Sequence, residues 1–123
     1  MVSLQLMLGS ERYAIPLGRV HRLAGYATLA GEPEEYFLGW LTLHGEKVPV
    51  FDLNRVVCDE AAPEQFGTRI IVVGAGKDSP TRHIGLLAAG VTDTVVTGEV
   101  ETLNLEIYLP MLYTMIPPMP VEA

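Results

Sequence analysis

"FLGWLTLHGEKVPVFDL", Phe37 to Leu53, is the stretch whose reading decides the fold. Two runs of strand formers, FLGWLTL and VPVFDL, flank the turn His44-Gly45-Glu46-Lys47. Strong β-formers on both arms of a glycine-containing turn read as an antiparallel hairpin. Directly after it, Asp52 is placed to cap a short helix from Leu53 to about Cys58, because a carboxylate accepts from the first free amides of a helix. Asp59 to Gly67 then reads as a loop.

Outward from this hairpin the dominant period is two. Val2, Leu4, Leu6 and Leu8 alternate with Ser3, Gln5 and Met7, the pattern of a strand with one buried face. Gly9 to Arg12 turns the chain, and Tyr13 to Leu17 returns as the partner, with Pro16 at its end because it cannot donate to a ladder. Val20 to Leu29 reads as a strand interrupted near Gly25, and Ala30 to Tyr36 as a polar loop or a single helical turn. Beyond the hairpin, Thr68–Val73, His83–Ala88 and Val91–Thr97 read as three further strands. LEIYL, from Leu105, reads as a weak strand, and the chain from about residue 110, ending in IPPMP, as an extended tail. Met111, Met115 and Met119, four residues apart, fit a helical face or plain core filler. Many short strands and almost no helix make this an all-β chain of one or two small barrels.

Composition narrows the function. With 123 residues the chain makes one domain that buries a core without staples. Apolar residues are 49% and charged ones 19%, which excludes disorder. A net charge of −7 and no basic stripe argue against nucleic acid. Cys58 is the single cysteine, which excludes an intrachain disulfide and a thiolate metal cluster. No apolar run approaches the ~20 residues of a membrane helix, and the first residues lack the pattern of a signal peptide. A cytoplasmic protein without membrane insertion is the expectation.

Gly74-Ala75-Gly76-Lys77 invites a phosphate-binding reading that its neighbours refuse. A P-loop needs glycine where Ile71 stands and Ser or Thr where Asp78 stands; a dinucleotide fingerprint needs glycine at Ser79. Pro80 and a strand follow instead of the helix whose N-terminus would hold the phosphate. The segment reads as a hairpin turn. His21, His44 and His83 lack metal-ligand spacing, and Cys58 has no adjacent base. No catalytic centre, metal site or cofactor is expected.

Four blocks carry a more specific signal: YAIPLGRVHRL, then FLGWLTLHGEKVPVFDL, then TRIIVV, then HIGLLAAGVTDTV. Their order and spacing resemble the CheW-like domain from about Leu6 to Val100, most closely over Gly39–Leu53 through Gly39, Leu43, Gly45, Pro49, Asp52 and Leu53. The resemblance implies a single domain over 1–123 made of two small SH3-like five-stranded barrels packed together. It also implies a non-catalytic adaptor between the cytoplasmic tip of chemoreceptors and the regulatory domain of a CheA-type histidine kinase, in chemotaxis or related motility. By the same resemblance, receptors dock in a groove near Val20, Leu23, Leu43, His44 and Gly45.

The chain departs from the family pattern at three places. His44 stands where arginine is usual, Ala89 where aspartate is usual, and the glycine-rich turn and strand that close the domain are absent. The second barrel is therefore expected to be incomplete or completed by another chain, with a homodimer or strand exchange near Val91–Thr97 or the tail. The alternative function is a divergent CheW-like interaction module, dimeric through that barrel, which has lost receptor coupling. An enzyme is the weakest alternative, because nothing in the spacing composes an active site.

Overall fold

The structure is a computed structural model that describes residues 2–25, 28–60, 68–77, 79–96 and 100–118. Its elements, in order, are β1 (Val2–Leu8), β2 (Glu11–Pro16), a 3₁₀ turn (Leu17–Arg19), β3 (Val20–Gly25), β4 (Phe37–Leu43), β5 (Glu46–Asp52), α1 (Leu53–Cys58), β6 (Arg69–Gly74), β7 (His83–Val96), β8 (Glu101–Thr102) and α2 (Leu105–Tyr113). The hairpin of β4 and β5 forms as its sequence dictates, paired from Phe37↔Phe51 to Leu43↔Glu46. Asp52 caps α1, accepting from the Arg55 amide at 3.2 Å. Of the loop expected over Asp59–Gly67, residues 61–67 lie outside the described residues, as does Thr97.

Five strands in the spatial order β3–β6–β7–β5–β4 make the first barrel. The chain that leaves β3 closes it. Ala30 exchanges both backbone hydrogen bonds with Trp40 on β4, at 3.0 and 2.8 Å. Alternation along each strand separates two cores. Ile70, Val72, Leu87, Val48, Val50 and Leu41 fill the barrel. Ile71, Val73, Ile84, Leu86 and Phe51, on the opposite faces of the same strands, join Leu4, Leu6, Leu8 and Ile15 in a second, larger core. The run Ile70-Ile71-Val72-Val73 is therefore continuously apolar because both of its faces are covered. Gly85 is required inside the barrel: a Cβ there would sit 2.9 Å from Ile70 and 3.0 Å from Val50.

The two strands expected at His83–Ala88 and Val91–Thr97 are one strand of 14 residues. Gly90, which reads as a break, instead takes φ +59° and lets the strand bend without ending. The first half of β7 pairs with β5 and β6; from Ala89 onward it pairs with β1. A Cβ on Gly90 would lie 2.7 Å from Met7 Cγ, so close approach also reserves this position for glycine. Ala89 is buried opposite Met7, where a small apolar side chain fits.

The second half of the domain consists of β7, β1, β2 and the two-residue β8, four strands among the described residues. The segment after them corrects the sequence reading. Leu105–Tyr113 is a helix, neither a strand nor, from residue 110, an extended tail. Its buried side chains are Leu105, Leu109 and Leu112, spaced i, i+4 and i+7 on one helical face. Asn104 caps it, accepting from the Glu106 amide at 3.1 Å. Pro110 lies inside the helix, where it lacks the N–H that would bond the Glu106 carbonyl, and the buried stripe is intact. Of the three methionines, Met111 lies off the stripe and is exposed, Met115 packs on the core just after the helix, and Met119 lies outside the described residues. The three leucines enter the same core as Leu4, Leu6, Leu8 and Ile15. Residues 116–118 continue without helix or strand.

Two substitutions probe these arguments. Leu109→Ala is expected to destabilise the protein by about 2–4 kcal/mol in chemical denaturation, while Ile107→Ala on the exposed face changes it by under about 0.5 kcal/mol. Gly39 has φ +144°, and a Cβ on it would meet Leu29 Cβ at 2.7 Å and the Ala30 carbonyl at 2.9 Å, at the barrel's closing bridge. Gly39→Ala is expected to cost more than about 2 kcal/mol by the same measurement.

Candidate functional site

The five positions singled out for partner binding divide between two faces. On β3, register slips between Val20↔Val73 and Arg22↔Val72, a bulge at His21. The extra residue returns Val20 and Leu23 to the same side, and both pack, half-buried, against the large core shared by the two halves. Leu43 packs instead on the inner core of the first barrel. His44 and Gly45 form the exposed turn between β4 and β5, both with positive φ, 49° and 81°. A left-handed pair is what a two-residue hairpin turn demands, so Gly45 is placed by backbone geometry. One contact ties the two groups together: the Arg22 guanidinium on β3 is hydrogen-bonded to Nε2 of His44.

Sequence reasoning missed the company His44 keeps. Glu46 continues the column of Val48 and Val50, and His83 that of Gly85 and Leu87, out to the mouth of the first barrel. There His83 Nδ1 meets Glu46 Oε2 at 2.8 Å. His21, thrown outward by the bulge, stacks on the His83 ring with centroids 4.1 Å apart and planes 27° from parallel. All three histidines of the chain thus sit around one barrel end, with Arg22 and Glu46. The period-two columns were the available signal. The β3 bulge and the seam between β3 and the β4–β5 turn were not readable.

Beside this end lies a cleft of about 360 Å³ lined by Gly18, Arg19, Val20, His21, Gly74 and His83. A second, of about 410 Å³, runs between Glu34–Phe37 and the chain after α2, Thr114–Pro118. Neither has the enclosed apolar walls and converging polar groups of a small-molecule site. Among the described residues no cluster of His, Cys, Asp or Glu has the arrangement of a metal site. Burial pushes the Cys58 thiol up, with Glu60 and Glu11 acting in the same direction, so it is protonated at neutral pH and a poor nucleophile.

Gly74–Ser79 does connect two antiparallel strands: the Ala75 amide donates to the Arg82 carbonyl at 2.9 Å, and β6 pairs with β7. Neither glycine adopts a positive φ, and Gly76 serves a close approach instead. The Gly76 amide donates to the Tyr113 hydroxyl at 2.6 Å, and a Cβ there would crowd that oxygen at 3.0 Å. The turn docks the end of α2. Asp78 lies outside the described residues.

No helix among the described residues is long and apolar enough to cross a membrane. No curated protein matches the chain in sequence. Among solved structures, the scaffolding protein TtCheW from Thermoanaerobacter tengcongensis shares the fold, with a TM-score of 0.66 at 23% identity over 80% of this chain. The chain spans 62% of the length of that protein. The sequence profile of the CheW-like domain matches residues 3–104, and with most of its length accounted for in this way the chain belongs to the CheW-like domain family.

Proposed function

We propose that this protein is a non-catalytic adaptor that couples the cytoplasmic tip of chemoreceptors to the regulatory domain of a CheA-type histidine kinase, in chemotaxis or a related motility system. The observation that carries this reading is the match to the CheW-like domain across residues 3–104, which takes in nearly all of the described strands of both halves. The half-buried apolar side chains of Val20 and Leu23, beside the exposed His44-Gly45 turn, suit a protein partner. A helical hairpin would present apolar residues at helical spacing to Val20 and Leu23, with polar contacts from the turn. Leu43, committed to the first barrel's interior, would act by holding that turn.

The helix α2 favours a second reading. It follows β8 at the point where the family's closing glycine-rich turn and strand are missing from the sequence, and it is tied to the 3₁₀ turn by Arg19–Glu106 at 2.5 Å and to the end of β6 by Gly76–Tyr113 at 2.6 Å. In that reading the chain is a divergent interaction module without receptor coupling, and a homodimer through the second half belongs to it.

Pull-down with a receptor cytoplasmic fragment and with a kinase regulatory domain separates the two. Val20→Glu is expected to abolish receptor capture, since its carboxylate would have to be desolvated on docking at a cost of a few kcal/mol. Val20 also touches the core, so Val20→Ala, melted alongside, reports the structural part of the loss. A folded Val20→Glu protein that captures the receptor as well as wild type removes the groove assignment. A wild-type protein that captures neither partner removes the adaptor reading.

A further inference from the structure

The chain carries a net charge of −7, yet its cations are not spread evenly over it. Three short segments, 17–22, 43–47 and 74–83, hold five of the eight Lys and Arg: Arg19, Arg22, Lys47, Lys77 and Arg82. The same segments hold only two of the fifteen Asp and Glu, Glu46 and Asp78. Strand pairing brings the three together. β3 starts where β6 ends, at Val20↔Val73, and β7 starts beside them, at Gly74↔His83. β5 runs parallel to β7, so the β4–β5 turn opens at the same end, where Glu46 meets His83. The mouth of the first barrel is a positive end on a negative molecule.

The carboxylates described near this end are already engaged, Glu46 by His83 and Glu106 by Arg19. Lys77 and Arg82 are exposed, and no ion pair among the described residues holds either. Arg82 lies on the face that carries Val20. The Ala75 amide donates to its carbonyl at 2.9 Å, which extends the β6–β7 ladder by one residue, and Ala75 packs on the shared core with Val73 and Ile84. Alternation puts the Arg82 side chain on that same face, one step outward from Ile84. Val20 pairs with Val73, which pairs with Ile84, so Arg82 is the outward neighbour of the row that presents Val20. Arg22, exposed on β3, brings a second guanidinium beside the His44-Gly45 turn. Exposed charges add little to a fold, but gathered on a docking face they select a partner and speed its arrival.

We propose that the surface formed by Val20, Leu23, Arg22, Lys77 and Arg82 takes a protein partner whose contact face is acidic around an apolar centre. The proposal rests on the docking assigned to Val20 and Leu23 and gives that partner its chemistry. Apolar side chains of a helix would cover Val20 and Leu23. Asp or Glu about one turn away would meet Arg82 and Lys77 at one margin and Arg22 at the other, each guanidinium pairing a carboxylate through two parallel N–H donors. The acidic remainder of the molecule would repel a nucleic-acid backbone extending beyond this end, which favours a compact acidic protein face.

A generic acidic probe tests this chemistry on the full-length protein. In NMR at low ionic strength, a hexaglutamate peptide should move the amides of Val20, Gly76, Lys77 and Arg82, and hexalysine should not. Lys77→Gln with Arg82→Gln should abolish those shifts. Arg12→Gln with Arg55→Gln, the same charge change at exposed positions away from the barrel mouth, should keep them. No shift with hexaglutamate, or shifts centred elsewhere, overturns the proposal. Anionic lipid vesicles that bind through Lys77 and Arg82 where hexaglutamate does not would assign this end to a lipid surface and overturn it too. With the receptor cytoplasmic fragment, the on-rate should fall about tenfold or more between roughly 50 and 500 mM salt. Lys77→Gln with Arg82→Gln should remove most of that dependence and leave the melting temperature unchanged. An on-rate indifferent to salt overturns the receptor as the acidic partner. A fragment that binds at neither salt removes the adaptor reading, and the peptide titration still decides the chemistry of the face.

Discussion

A single strand that serves two sheets is the constraint on which this domain depends. From His83 to Ala88, β7 is the central strand of the first barrel; from Ala89 it pairs with β1 in the second half. The handover needs a bend that does not end the strand, and Gly90, in the left-handed region against Met7 and at a register shift in the β1–β7 ladder, supplies it. The two halves are therefore not beads on a linker. The larger core holds side chains of β1, β2, β5, β6, β7 and α2 together, so neither half keeps its apolar face covered without the other. α1 adds a polar tie: the buried Asn54 accepts from the Gly9 amide at 2.8 Å and donates to the Glu60 carbonyl at 2.6 Å.

Polar residues gather where the barrel's apolar columns run out into solvent. Alternation carries Glu46 and His83 to the mouth on the same faces as Val50 and Leu87. Side chains with an apolar body and a polar tip suit that boundary. The bulge at His21 has two effects. It keeps Val20 and Leu23 on the shared core, and it places an imidazole over the His83 ring. The face proposed for a partner and the histidine cluster are thus consequences of one local irregularity in β3.

What could be read from the sequence was what local patterning controls. The hairpin from Phe37 to Leu53, the Asp52 cap and the β1–β2 pair all follow from spacing within a few dozen residues, and the resemblance to the family rested on four blocks in order from about Leu6 to Val100. The errors have physical causes. Gly90 was read as punctuation because sequence does not distinguish a bend within a strand from a break between two. Leu105–Tyr113 was read as strand and tail, the tail from the prolines of IPPMP, although Leu105, Leu109 and Leu112 stood at helical spacing and Asn104 and Glu106 where a helix start places them. Of the positions proposed for partner binding, Val20 and Leu23 face the shared core, while alternation along β4 turns Leu43 into the first barrel. The meeting of three histidines depends on pairings between strands far apart in sequence, which no local pattern encodes.

The pairing of β1 with β7 also sets an order of events during synthesis. Val2 is matched with Val96, and the helix that completes the shared core begins at Leu105. At ribosomal speeds of roughly 5–20 residues per second, the β1–β2 hairpin emerges about 5–20 s before its partners. Phe51 and Ile71 join Leu4, Leu6, Leu8 and Ile15 along the way, but that core stays open until β7 and α2 arrive. A nascent chain in this state is a substrate for chaperones that hold exposed leucine-rich hairpins, and a shortage of them would be felt as aggregation on the ribosome well before the finished domain lost any stability.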